Sequence, residues 1–311
     1  MGQQQVRRIF NKKRVTGWLG SFFCYVVLIG IIFLILFPFL EKISNAFKSE
    51  ADLLDKTVMY IPKEPTLDTL KTTLEAMQYG ASLLNTVILS TSIGLIQTFV
   101  CTFIAYGFAR YDFAGKRLLF AFVFITLLVP PQVIMTSLYM IFHDFDILGV
   151  CQLITGHPMG NLLETSAPLY LLALTGVGFK NALYIFMMRQ FFRNMPNELE
   201  EAGQIDGAGT FRIFFRIFLP SAVPMMVTIF LFAFSWQWSD GYYTTMLMRD
   251  AEVLSNSLSM LQTYGRATLS PVLRTAIIDT GLMLVILPLL LVYLVGQRFF
   301  VEGVSRSGIV G

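Results

Sequence analysis

The stretch Glu198-Leu199-Glu200-Glu201-Ala202-Gly203-Gln204-Ile205-Asp206-Gly207-Ala208-Gly209-Thr210, followed by Ile217-Phe218-Leu219-Pro220, is a polar, helix-forming loop between two strongly apolar segments. Pro196 suits the first turn of a helix, where its missing N–H costs nothing. Glu198, Glu200 and Glu201 then put negative charge at the positive end of the helix dipole. This helix is expected to run to about Ile205. Gly207, Ala208 and Gly209 break it, Thr210 is expected to cap a second helix, and Pro220 marks entry into the next apolar segment. The loop 193–220 therefore reads as helix, sharp bend, helix, held at one surface of a membrane.

The membrane follows from composition. Of 311 residues, 55% are hydrophobic and 14% charged, a balance that belongs with polytopic membrane proteins and excludes a soluble domain. Six segments, 19–40, 83–108, 118–141, 167–189, 221–240 and 276–297, are apolar over about 20 residues, enough to cross a hydrocarbon core of roughly 30 Å. The expected fold is all-α, with a basic N-terminus at 1–18, a six-helix membrane domain at 19–297 and a tail at 298–311. Arg7, Arg8, Lys12, Lys13 and Arg14 precede the first segment, but its apolar run is too long for a signal peptide and lacks a small-residue exit. With the N-terminus inside, fourteen Lys and Arg lie on the cytoplasmic side: five before the first span, three at 110–117, four at 189–216 and two after 297. Eight fall outside, so both termini are expected in the cytoplasm. A net charge of +3, placed mostly at membrane edges, leaves no footprint for nucleic acid.

Between the first two spans, Leu67, Leu70, Leu74 and Met77 recur at helical spacing after Pro65-Thr66, predicting an amphipathic helix at the outer surface. Pro130-Pro131 must kink the third span, either for packing alone or because the broken helix borders a polar path. Cys24 and Cys101 lie in spans and Cys151 in an external loop, so no disulfide framework is expected. His143 and His157 lack metal-ligand spacing. No G-x-x-x-x-G-K-[ST] loop, catalytic constellation or internal repeat is present, so neither catalytic nor metal residues are expected.

Lys180 and Asp279 fall within apolar spans and Asp240 near the outer end of the fifth, which makes them functional candidates. A central Lys costs about 2.5–3.5 kcal/mol on insertion scales, so Lys180 should face a polar cavity or a partner. Structural pairing and substrate contact both satisfy that requirement. Trp236, Trp238, Tyr242 and Tyr243 cluster nearby, either as an aromatic belt or as platforms on which sugar rings stack beside Gln237 and Asp240.

The spacing Glu201-Ala202-Gly203, three residues, Gly207, nine residues, then Ile217-x-Leu219-Pro220 resembles the signature of the membrane-spanning subunits of binding-protein-dependent ABC importers, with Gly203 where that family carries Ala. The runs around 105–117, 129–139 and 238–240, and the tail from Gln297 to Gly311, are similar to its maltose-type carbohydrate branch, with Ser239 in place of the usual Asn. The resemblance implies the type I importer permease fold in a bacterial cytoplasmic (inner) membrane. It also implies that 201–208 is a coupling helix docking on an ATP-binding subunit. Glu201 would make the polar contact, Ala202 and Ala208 would allow close approach, Gly207 would supply the bend and Asp206 would support it or cap nearby backbone, with Gly203 in the same coupling set. Trp236, Trp238, Asp240, Tyr242 and Lys180 are candidates for the substrate path. The implied partners are a second, non-identical permease, two ATP-binding cassette subunits, an extracellular or periplasmic solute-binding protein and membrane lipid. This chain is expected to bind no cofactor, with ATP and Mg held by the partner subunits. Two rivals stand beside a carbohydrate, specifically oligosaccharide, importer: an ABC permease for a non-sugar solute, and an ion-coupled transporter using Lys180 and Asp279.

Overall fold

The computed structural model describes residues 2–146, 149–157 and 160–306, without the side chains of 2–17, 19, 150, 151, 155 and 298–306. The tail beyond Arg306 lies outside the described residues. All regular structure among them is helical: α1 (Gly2–Ala46), α2 (Glu50–Leu54), α3 (Asp68–Ala76), α4 (Tyr79–Arg110), α5 (Lys116–Leu128), α6 (Pro131–His143), α7 (Val150–Thr155), α8 (Ala167–Leu174), α9 (Asn181–Arg193), α10 (Glu198–Ile205), α11 (Thr210–Ile213), α12 (Leu219–Ser239), α13 (Tyr242–Leu247), α14 (Leu254–Leu261) and α15 (Pro271–Arg306). A π-helical turn, Phe214–Phe218, joins α11 to α12.

Among the described residues, four helical stretches are long and apolar enough to cross a membrane: Gly20–Ala46, Tyr79–Arg110, Thr210–Ser239 and Pro271–Gln297. The expected third span is the pair α5 and α6, bent by 102°. Pro130 is left between the helices in extended conformation and Pro131 opens α6, as the missing N–H and fixed φ of proline dictate. The expected fourth span is divided into α8 and α9 by residues 175–180. Gly176 and Lys180 both take positive φ there, 74° and 64°, and that turns the chain out of the helix.

The chain forms two compact units. One holds residues 1–73 and 264–283. Within it Lys42 pairs with Asp279, so this acid, a functional candidate from its place in an apolar span, has a cation of its own. Ser49 caps α2 by accepting from Asp52 N at 3.2 Å, and Asp52 accepts from the backbone of Lys63 and Glu64 at 2.8 and 3.0 Å. The predicted outer-surface helix is α3, but its buried positions are Thr69 and Thr73, while Leu67 stays 48% exposed.

The second unit, 74–263 and 284–311, is organised around α4. Its buried stripe runs Ser82, Thr86, Ser90, Gly94, Thr98, Thr102 and Tyr106, while Leu84, Ile88, Leu95, Phe99 and Phe103 are exposed. Without a hydrophobic force between helices in lipid, small residues gather where backbones approach closely, and bulky ones face the tails. Thr98 and Thr102 return their hydroxyls to the carbonyls four residues back at 2.7 and 2.6 Å. Such bonds let the helix carry threonines inward with their hydroxyls satisfied. On this stripe pack α9 and α12, the two helices that flank the polar loop.

Candidate functional site

The loop begins with α10, whose first turn carries Glu198, Glu200 and Glu201. It ends as a closed six-residue motif: Gly207 N–H donates to Gln204 O at 3.0 Å and Ala208 N–H to Gly203 O at 2.9 Å. This pair of bonds satisfies orphan carbonyls at a helix C-terminus and needs the intervening residue in left-handed conformation. Gly207 supplies it with φ 74°. Asp206 is the C-cap, its N–H on Ala202 O at 3.0 Å. The N-cap of α11 is Gly209, without a side-chain cap bond. Thr210, expected to cap, is instead the first helical residue, because the extended Gly209 already sets the direction of the chain.

Gly203 is buried, and a Cβ added there would meet Ile213 Cγ1 at 3.0 Å and Ile217 Cδ1 at 3.2 Å. The two limbs of the loop thus pack directly on each other, with glycine making room for two isoleucines. Glu201, Ala202 and Asp206 are exposed, as is Ile205, at 85%. From α11 the chain passes through the π-helical turn, in which Leu219 N–H reaches back to Phe214 O. Such a turn absorbs the lost donor of Pro220 without ending the helix. Pro220, expected to mark entry into the next apolar segment, lies within a continuous helical path from Thr210 to Ser239.

One residue unassigned by the sequence ties the loop to the membrane helices. Arg110, the last residue of α4, donates to Asn197 Oδ1 at 2.5 Å, Phe192 O at 2.8 Å and Met195 O at 2.7 Å. Its guanidinium also lies 4.7 Å from the Phe218 ring centroid. It holds the ends of α4 and α9, the start of α10 and the π-helical turn together, and only the planar five-donor fork of arginine can do all of this. Behind it Tyr106 packs against Phe214 and Phe218 at centroid distances of 4.7 and 5.1 Å. In sequence, Arg110 was visible only as one more basic residue at a membrane edge.

The break between α8 and α9 opens a second site. Two adjoining cavities share the wall Val177, Gly178 and Phe179, the larger of about 270 Å³ and the smaller about 70 Å³. Lys180 lines the larger one, its Nζ 4.8 Å from the Trp236 ring centroid and 5.0 Å from that of Phe179. Phe179 in turn meets Trp236 at 5.5 Å and Tyr243 at 5.3 Å. Gln97 and Asp240 line the smaller cavity. Asp240 is also a helix cap: its carboxylate accepts from Tyr242 N, Tyr243 N, Thr244 N and Thr244 Oγ1 at 2.9–3.1 Å.

Of the five substrate-path candidates, the structure brings Lys180, Trp236 and Asp240 to these cavities. Trp238 is 2% exposed and donates its indole N–H to Val285 O at 3.0 Å. It is a packing residue against α15, since residues two apart on a helix point to different sides. Tyr242 is 42% exposed and lines neither cavity, while its neighbour Tyr243 lines both. Phe179, Asn181 and Gln97 were not singled out from sequence. The Gly176-x-Gly178 signal for a break was there, submerged in an apolar run.

Comparison with known proteins gives concordant findings. Residues 78–306 match the family model described as binding-protein-dependent transport system inner membrane component. A probable ABC transporter permease protein of Pyrococcus horikoshii is 30% identical over 247 residues, 77% of this chain and 80% of that protein. The maltodextrin transport system permease protein MalD of Streptococcus pneumoniae is 27% identical over 300 residues, 96% of each chain. A chain in the crystal structure of a bacterial ABC transporter involved in the import of the acidic polysaccharide alginate superimposes with a TM-score of 0.69 at 22% identity, over 92% of this chain and 97% of that one. That likeness concerns the fold.

Proposed function

The chain belongs to the family of binding-protein-dependent transport system inner membrane components, and on that premise we propose that it is one of two non-identical permeases of an ATP-driven carbohydrate importer whose cargo is an oligosaccharide. A relative that transports maltodextrin aligns along 96% of the chain, and this supports the carbohydrate reading. The observation that carries the coupling role is the loop itself: Glu201, Ala202, Ile205 and Asp206 are exposed on a short helix whose far limb is continuous with α12 and whose base is clamped by Arg110 to α4 and α9. Two ATP-binding subunits hold ATP and Mg and close on hydrolysable nucleotide. The loops at 201–208 of this chain and of its companion dock on them. ATP can drive the spans only if the two conformations contact those subunits differently, and a stiff lever turns that difference into helix movement. A solute-binding protein outside delivers the sugar to the interface between the permeases. Both termini, 1–18 and 298–311, face the cytoplasm.

Glu201→Lys in the complete importer tests this. It reverses charge on an exposed residue whose side chain makes no hydrogen bond or ion pair among the described residues, so membrane content is expected to stay normal. Sugar uptake should fall to background, and the ATP-binding subunits should co-purify poorly. Normal uptake by the variant would sink the coupling assignment.

A further inference from the structure

The cavity at the break in the fourth expected span carries more than a general substrate path. Lys180 is its cation, and no carboxylate of the described residues pairs with it: the four ion pairs among them involve Lys42, Lys63, Lys116 and His143. Asp240, the acid of the adjoining cavity, is engaged by four donors of its own helix start. The Lys180 ammonium rests instead on the faces of Phe179 and Trp236, contacts that hold a cation without neutralising it. Beside it Asn181 is 1% exposed and lines the same cavity. Both its amide atoms, Nδ2 and Oδ1, are buried without a partner. Buried polar groups are rarely left so in folded proteins, and an orphaned amide at a cavity wall is a group awaiting a ligand. Asn181 also opens α9, a helix of 13 residues, whose N-terminal dipole adds positive potential where Lys180 stands. The cavity, about 270 Å³, is many times the ~30 Å³ share of one water.

We propose that this cavity is an anion subsite, in which Lys180 and the start of α9 receive the carboxylate or phosphate of an acidic saccharide while Asn181 bonds its hydroxyls and Tyr243, which lines the same cavity, packs on its ring. The proposal rests on the carbohydrate-importer reading above. An uncompensated ammonium between aromatic faces is matched by an anionic group, whereas a neutral sugar would leave the charge unpaired at membrane depth.

The complete importer with its binding protein, reconstituted in proteoliposomes, is tested for ATP-driven uptake of three labelled probes: trigalacturonate for a carboxylate, glucose 6-phosphate for a phosphate, and maltotriose as the neutral control. Uptake is normalised to importer content. Wild type should carry one of the acidic probes in preference to maltotriose, and the arm that responds identifies the anionic group. Lys180→Gln should lower that uptake about tenfold, the loss of one charge-assisted contact, while Lys180→Arg keeps most of it. Preference for maltotriose, or equal loss of neutral and acidic uptake in Lys180→Gln, overturns the anion subsite and leaves carbohydrate import standing. ATP-dependent uptake of none of the three overturns the carbohydrate reading together with the subsite.

Discussion

At the scale of single residues, two glycines in the loop answer different physical demands. Gly207 has nothing within 4 Å of where a Cβ would sit, but its φ is 74°, so what it contributes is backbone freedom. An L-residue in that conformation costs about 1–2 kcal/mol, and Asn tolerates it best. Gly207→Ala should therefore loosen the C-terminus of α10, seen as faster amide exchange at Gly207 and Ala208, and Gly207→Asn should restore most of the protection. Equal exchange in wild type and the Ala variant would show that the left-handed cap is not what holds the bend. Gly203 is the opposite case. Helix propensity alone makes a glycine there a loosening of roughly 1 kcal/mol relative to Ala, but its role is steric, because Ile213 and Ile217 occupy the space of a side chain. That contact joins residues ten and fourteen positions apart, beyond what propensity can register.

At the scale of elements, the helix, bend and second helix of the loop were legible because proline, glutamates and glycines act locally. Its attachment to the membrane helices was not. Arg110 is the joint between α4, α9, α10 and the π-helical turn. Replacing it with Met removes three charge-assisted bonds, each worth about 1.5–3 kcal/mol at most, and leaves the apolar stem to fill the space. We expect Arg110→Met to uncouple the importer: ATP hydrolysis by the partner subunits should persist while sugar uptake falls about tenfold or more. Proportional loss of both activities would mean that the residue serves only assembly, and unchanged uptake would remove it from the transmission path. Likewise the divided fourth span escaped the apolar count, since hydropathy averages over about 20 residues and a break of six inside it, 175–180, barely moves the mean.

At the scale of the whole molecule, the basic asymmetry of the loops makes a prediction that labelling can check. In a chain whose three cysteines are replaced, single cysteines at Tyr60 and Met260, 52% and 62% exposed, should react with an impermeant reagent added outside. Cysteines at Asp112 and Ile205 should react only after the membrane is opened. External labelling at 205 would invert the topology and remove the loop from any cytoplasmic partner. The amino-acid sequence determined by itself that this is an all-helical membrane protein of the importer-permease type. Composition, span length, the charge of loops and the spacing around Glu201 and Gly207 are properties of neighbours along the chain, and the membrane and the helix dipole act on them directly. Only the tertiary structure decided that Trp236 lines a cavity and Trp238 does not, that Asp279 is already paired with Lys42, and that Arg110 clamps the base of the loop while Lys180 lines the larger cavity. Those facts depend on residues tens to hundreds of positions apart, 87 between Arg110 and Asn197 and 237 between Lys42 and Asp279. Local pattern carries no term for such pairs, and packing alone brings them together.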